Sequence, residues 1–170
     1  MRQLYLVRHA KAAADRGVDD HDRPLAASGR AAATRVGAQL AQLGVRPSLI
    51  LCSSSRRTVE TLERLRAELA VEPAVSIERE LYLASAAALL ARVARVDARE
   101  PAVLLLGHNP GIADVARALV GTGERSAIAR LAAQFPPGAC AALRFEVASW
   151  RGLSPGVGTL TGFAAPQDLS

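Results

Sequence analysis

Lysine is almost missing from this chain. Of its 21 basic residues only Lys11 is not an arginine, and against 16 acids they leave a net charge of +5. A basic balance admits nucleic acid, a membrane surface or phosphorylated molecules as partners. The arginines are scattered, and aromatic residues make up only 4% of the sequence. The clustered basic stripe of a nucleic-acid binder is therefore lacking, and no nucleic-acid partner is expected. Long apolar runs are lacking too. None approaches the ~18 residues that a membrane span needs. The N-terminal run, Leu4 to Val7, stops at Arg8 and is too short for the core of a signal peptide. A cytoplasmic protein with no membrane partner is expected. Two cysteines, Cys52 and Cys140, do not make a disulfide framework. Both lie in apolar, strand-like runs and are expected to be buried free thiols.

What is present is enough for a core. Half of the 170 residues are hydrophobic, and a single domain over residues 1–170, acting as a monomer, is expected. Three short runs, Leu4 to Val7, Leu49 to Cys52 and Val103 to Leu106, are apolar without alternation, as in parallel strands buried on both faces. Helical periods lie between them. From Ser28, a good N-cap, Ala32, Val36, Leu40 and Leu43 mark one face. Val59, Leu62, Leu65 and Leu69 mark a second. Ser85 caps a third, with Leu89, Leu90, Val93 and Val96 inward, and Gly111 to Val120 forms a fourth. Ala141, Leu143, Phe145 and Val147 alternate with Ala142, Arg144 and Glu146, which predicts a strand with one wet face near a sheet edge. Thr159 to Phe163 is a further short strand. Alternating strands and helices predict an α/β fold, a three-layer α/β/α sandwich around a mostly parallel sheet.

Each of the three apolar runs leads into a polar cluster: Arg8-His9, then Ser53 to Arg57, then Gly107-His108-Asn109. In open α/β sheets, ligands bind beyond the carboxyl ends of the strands. Three strands can thus deliver two histidines and two arginines to one crevice. One histidine at a strand end is ordinary; three matched clusters point to function. Two guanidinium forks suit a phosphoryl group, and their charge does not titrate away. For a nucleophile, Cys52 lies inside an apolar run, and Ser53 to Ser55 lack a neighbouring base. His9 is the better candidate, because imidazole nitrogen carries phosphate at neutral pH. The spacing of His9, His21 and His108 fits no zinc site, and no metal or cofactor is expected. The acidic stretch Asp19 to Asp22 reads as a solvated loop.

These segments carry a resemblance. "LYLVRHAKA" resembles the Arg-His-Gly signature of the histidine phosphatase superfamily, whose fold is that of the phosphoglycerate mutases. "CSSSRRTVETL" resembles its Ser-x-Ala-x-Arg-Thr motif, and "LLLGHNPGI" its late Gly-His motif. "DHDRPLAASGR", residues 20 to 30, is similar to a stretch of the small SixA-type phosphohistidine phosphatases. The four motifs run in order over essentially the whole chain. The resemblance implies that His9 accepts the phosphoryl group, and that Arg8, Arg57 and His108 bind it and stabilise the transition state. It implies Glu80 as the general acid, with Asp20 and Asp22 as alternatives at the pocket mouth. Ala10 replaces the signature glycine, which is tolerable if its φ is negative.

An alkoxide leaving group needs a proton donor, whereas imidazole can carry its own. A pocket without a committed acid therefore suits phosphohistidine. The absence of a long capping insertion implies an open crevice that admits a phosphorylated protein loop. The expected activity is metal-independent hydrolysis of protein phosphohistidine through a phosphorylated enzyme histidine. The alternatives are a phosphatase for a small phosphorylated metabolite and a non-catalytic phosphoprotein-binding module.

Overall fold

The three runs without alternation become neighbouring strands at the centre of one sheet. The structure, a computed structural model, describes residues 1–169. Its strands are β1 (Arg2–Arg8), β2 (Leu49–Ser53), β3 (Ala74–Glu78), β4 (Ala102–Gly107), β5 (Val120–Gly123), β6 (Cys140–Phe145) and β7 (Gly158–Ala164). They form a seven-stranded sheet in the order β3-β2-β4-β1-β6-β7-β5. All pairings are parallel except those of β6, which runs against both β1 and β7.

Five helices cover the sheet: α1 (Ala27–Gln42), α2 (Arg56–Glu68), α3 (Ala86–Ala94), α4 (Gly111–Leu119) and α5 (Arg125–Ala133). Val36 and Leu40 of α1 and Leu62 and Leu65 of α2 pack on Val7, Ile50, Leu104 and Leu106. The other sheet face takes Leu89 and Val93 of α3, Ile112, Val115 and Leu119 of α4 and Leu131 of α5, against Leu4, Leu6, Leu51 and Leu105. Side chains of β1, β2 and β4 thus point alternately into two buried layers, which is why these strands show no polar alternation. Truncating one of them, Leu105→Ala for example, is expected to cost roughly 2–5 kcal/mol. Both cysteines are free and buried, and burial pushes each thiol up to about 12. No helix among the described residues is long and apolar enough to cross a membrane.

Several local expectations need correction. The N-cap of α1 is Ala26, not Ser28. The start is set by backbone anchors: Ala26 N–H donates to Lys11 O at 2.9 Å, and Leu25 N–H to Glu60 Oε1 at 2.9 Å. Leu43 follows the last turn of α1 and is exposed. The wet face of β6 does not mark a sheet edge, since β6 is paired on both sides. Ser85 does cap α3, accepting from Ala88 N–H at 3.1 Å.

Candidate active site

Strand register brings the polar clusters together. Arg8 lies opposite Gly107 in the β1–β4 pair, so the residue after each strand is a histidine. His9 N–H donates to Gly107 O at 3.0 Å, and the rings of His9 and His108 lie 5.2 Å apart. On the other side of β4, Cys52 lies opposite Leu106, and the following residue, Ser53, meets His108 Nε2 through its hydroxyl at 2.7 Å. Arg57 comes from the first turn of α2 and is 4% exposed. Ala10, where the family signature has glycine, is not among the residues with positive φ. Its N–H donates to Thr61 Oγ1 at 3.1 Å, and Thr61 Oγ1 in turn donates to Arg57 O at 2.7 Å.

Arg57 fixes the tautomer of both imidazoles. A guanidinium only donates. Its Nε–H reaches His9 Nε2 at 3.3 Å, so that nitrogen holds the lone pair. The proton of His9 then sits on Nδ1, which donates to Ala10 O at 2.7 Å. Arg57 Nη2 lies 3.4 Å from His108 Nδ1, which places the His108 proton on Nε2, toward Ser53. Burial, with the charges of Arg57 and Arg8 in support, pushes His9 down to about 4. Burial also leads for His108, and His9, Arg57 and Arg8 add to it, giving about 3. At neutral pH both rings are uncharged. An imidazole held this way presents a nucleophilic lone pair at Nε2.

The guanidinium of Arg57 is itself held. Nη1 donates to Asp20 O at 2.7 Å and Nη2 to Asp20 Oδ2 at 3.0 Å. The Tyr82 hydroxyl donates to the same Oδ2, and Arg23 Nη1 donates to Oδ1 at 3.0 Å. The Tyr82 hydroxyl above all, together with Arg23 and Arg57, holds the Asp20 carboxyl well below the usual carboxylate range. Asp19 to Asp22 is therefore more than a solvated loop. Asp20 to Asp22 form a short 3-10 turn, and His21 Nε2 bonds Ser54 Oγ at 2.8 Å while its ring meets Tyr82 edge-on at 4.8 Å. Asp22 is exposed and lies beside His21 Nδ1 at 3.5 Å.

A cavity of about 300 Å³ opens over these groups, lined among others by Arg8, His9, Lys11, Arg23, Arg57 and His108. No carboxylate is among its lining residues. Arg8 donates through Nη1 to Phe135 O at 3.1 Å, while its buried Nε has no protein partner. Two guanidinium groups and two imidazoles around one cavity can hold a tetrahedral oxyanion from several sides. Among the described residues no group of histidine, cysteine, aspartate and glutamate side chains could hold a metal. Glu80 is not brought to this cluster. Its carboxylate pairs with Arg95 at 3.0 Å and with Arg92 at 3.7 Å.

Sequence reasoning missed Ser53 as the partner of His108 and Tyr82 as the partner of Asp20. Ser53 opens the Ser-x-Ala-x-Arg-Thr motif, which gave the signal for it, whereas Tyr82 has no motif of its own and only the 3-10 turn brings it in. It also missed Leu83, which borders the cavity with φ of 51° and a 55% exposed side chain. A left-handed conformation costs a residue with a side chain ~1–2 kcal/mol.

A family model described as the histidine phosphatase superfamily (branch 1) matches residues 4–82. The chain is 31% identical over 163 residues to an uncharacterized protein of Mycobacterium tuberculosis, covering 95% of this chain and 100% of the relative. Solved structures agree. A Nakamurella multipartitia protein provisionally assigned as phosphohistidine phosphatase SixA is 31% identical, with a TM-score of 0.83 over 97% of this chain and 96% of that one. An Agrobacterium tumefaciens protein with the same provisional assignment is 29% identical, with a TM-score of 0.82 over 97% and 98%.

Proposed function

Because this chain belongs to the histidine phosphatase superfamily, we propose that it hydrolyses phosphohistidine on proteins, through a phosphoryl group carried on His9. The observation that carries the reading is the state of His9: Nδ1–H is tied to the Ala10 carbonyl, and Nε2 keeps its lone pair, accepting from Arg57 Nε–H at the wall of a cationic cavity.

The phosphoryl group enters between Arg8, Arg57 and His108. Its oxygens take the N–H of Arg57 that otherwise rests on His9 Nε2, and the unpartnered Nε of Arg8. His9 Nε2 forms a bond to phosphorus as the bond to the leaving nitrogen breaks, and the substrate ring, protonated on its other nitrogen, departs as neutral imidazole. His108 takes up a proton from solvent at Nδ1 as the dianion binds and donates it in a hydrogen bond to a phosphoryl oxygen, its Nε2–H remaining on Ser53. Water then attacks phosphorus in line, His9 departs as imidazole and inorganic phosphate is released. The absence of a carboxylate from the cavity lining favours a substrate whose leaving group is an imidazole, since an alcohol would need a donor.

The test is an acid-labile, base-stable phosphoenzyme. Wild type, quenched during turnover of a histidine-phosphorylated protein, is expected to carry it, and His9→Ala is expected to lack it and to lose at least a hundredfold in rate, about 3 kcal/mol. Faster turnover of sugar phosphates than of the phosphoprotein would instead make this a small-metabolite phosphatase. Binding without any phosphate release would make it a recognition module.

A further inference from the structure

The wall of the cavity is not uniform. Most of the polar groups that line it are cations or imidazoles, but Leu83 adds an apolar side chain from a separate loop. That loop is fixed on both sides of Leu83. Tyr82 N–H donates to Arg79 O at 3.0 Å, Ala84 N–H to Leu81 O at 3.4 Å, and the Tyr82 hydroxyl is on Asp20. The Ala84 carbonyl is pressed against Gly111 so closely that a Cβ on that glycine would lie 2.2 Å from it. The backbone at Leu83 is thus over-determined and set at a positive φ.

A leucine at such a position makes no sense for the folded chain alone. Its side chain is more than half exposed and belongs to neither main core cluster, so it returns little burial for the strain. Strain of this kind persists where the surroundings impose it, and it collects at ligand-binding positions. The side chain borders the cavity that receives the phosphoryl group, on the same loop as Tyr82, whose ring meets that of His108 edge-on at 5.4 Å.

We propose that Leu83 is a specificity-determining residue, packing on an apolar side chain next to the phosphorylated histidine of a protein substrate. This deepens the reading given under Proposed function and rests on it. A small phosphorylated molecule ends at the cavity mouth and offers Leu83 nothing to cover. A peptide chain continues past it and does.

Two peptides that differ only in the residues beside one histidine, leucine in one and glycine in the other, would be phosphorylated with phosphoramidate and compared. Wild type is expected to prefer the leucine peptide about fivefold or more in kcat/KM, mainly through KM. Leu83→Asn, which tolerates the left-handed backbone, is expected to lose that preference. Leu83→Met is expected to retain it. Hydrolysis of both peptides with no preference in wild type, or a preference that survives in Leu83→Asn, overturns the role of Leu83 alone. Failure of wild type to hydrolyse either peptide while it cleaves phosphate esters overturns the phosphohistidine reading, and Leu83 with it.

Discussion

Asp20 grips Arg57 twice, through its backbone carbonyl on Nη1 at 2.7 Å and its carboxylate on Nη2 at 3.0 Å. The grip leaves Nε free to face His9, so one exposed aspartate orients the guanidinium that organises both imidazoles. Asp20→Asn keeps the carbonyl contact and removes the charge. It is expected to lower kcat/KM about tenfold and to weaken vanadate inhibition by a similar factor. The loss should be equal for good and poor leaving groups, because an ionised carboxylate bound to Tyr82 and Arg57 has no proton to give. A loss that steepens with leaving-group pKa would make Asp20 the acid.

Glu80→Gln is expected to change the rate less than twofold across a series of leaving groups. The side chain is engaged with Arg95 and Arg92 outside the cavity, and such exposed pairs contribute within ~1 kcal/mol to stability. A rate ratio that climbs with leaving-group pKa would return Glu80 to the mechanism.

Ser53→Ala removes the acceptor of a buried imidazole N–H. The expected result is a stability loss of roughly 1–2 kcal/mol and a fall in kcat of about tenfold, because His108 loses the bond at Nε2 that holds its ring in place. Ser53→Thr, which restores the hydroxyl, should recover most of kcat. If Ser53→Ala loses stability but keeps kcat and its pH profile, the hydroxyl serves the fold alone.

Acid should destabilise the empty protein well above the carboxylate range. His9 and His108 are held down to about 4 and about 3, while unfolded histidines titrate near 6.5. Between those values the unfolded chain binds protons that the folded chain refuses. Their contribution is complete above the unfolded value and is lost as pH falls from there through 4. The slope approaches ~1.4 kcal/mol per pH unit for each ring. Urea unfolding at pH 7.5 and 5.5 is expected to differ by about 3 kcal/mol, and a His9→Gln/His108→Gln variant should lose most of that difference. Phosphate binding near pH 6 should take up protons, seen as heats that depend on the buffer. Equal stability at the two pH values would mean that the rings are solvated.

The parts legible in the sequence are those with one strong physical signature. Continuous apolar runs mark β1, β2 and β4, because only a strand covered on both faces needs no polar side. The strand-end rule then collects Arg8, His9, Arg57 and His108. What escaped lacks such a signature. β3 is an edge strand with no fully buried residue, β5 is half glycine, and α5 buries only Leu131. The contacts of Asp20 and Tyr82 join residues 62 positions apart, and no local pattern encodes a pairing set by the route of the chain across the sheet.

In the mechanism proposed for this chain, the bond from His9 Nδ1 to the Ala10 carbonyl also determines which isomer of the enzyme intermediate would form. With that nitrogen occupied, phosphorus can attach only to Nε2, the ring position remote from the backbone. The product is a phosphorylated imidazolium, still protonated on the near nitrogen. Its P–N bond keeps a high group-transfer potential, since an uncharged ring is ready to leave. An acceptor other than water that reached the open mouth would compete for the same phosphorus, so added alcohols are expected to appear in the products as phosphate esters. A single Nε2-phosphorus resonance in the trapped enzyme would be the mark of that one carbonyl.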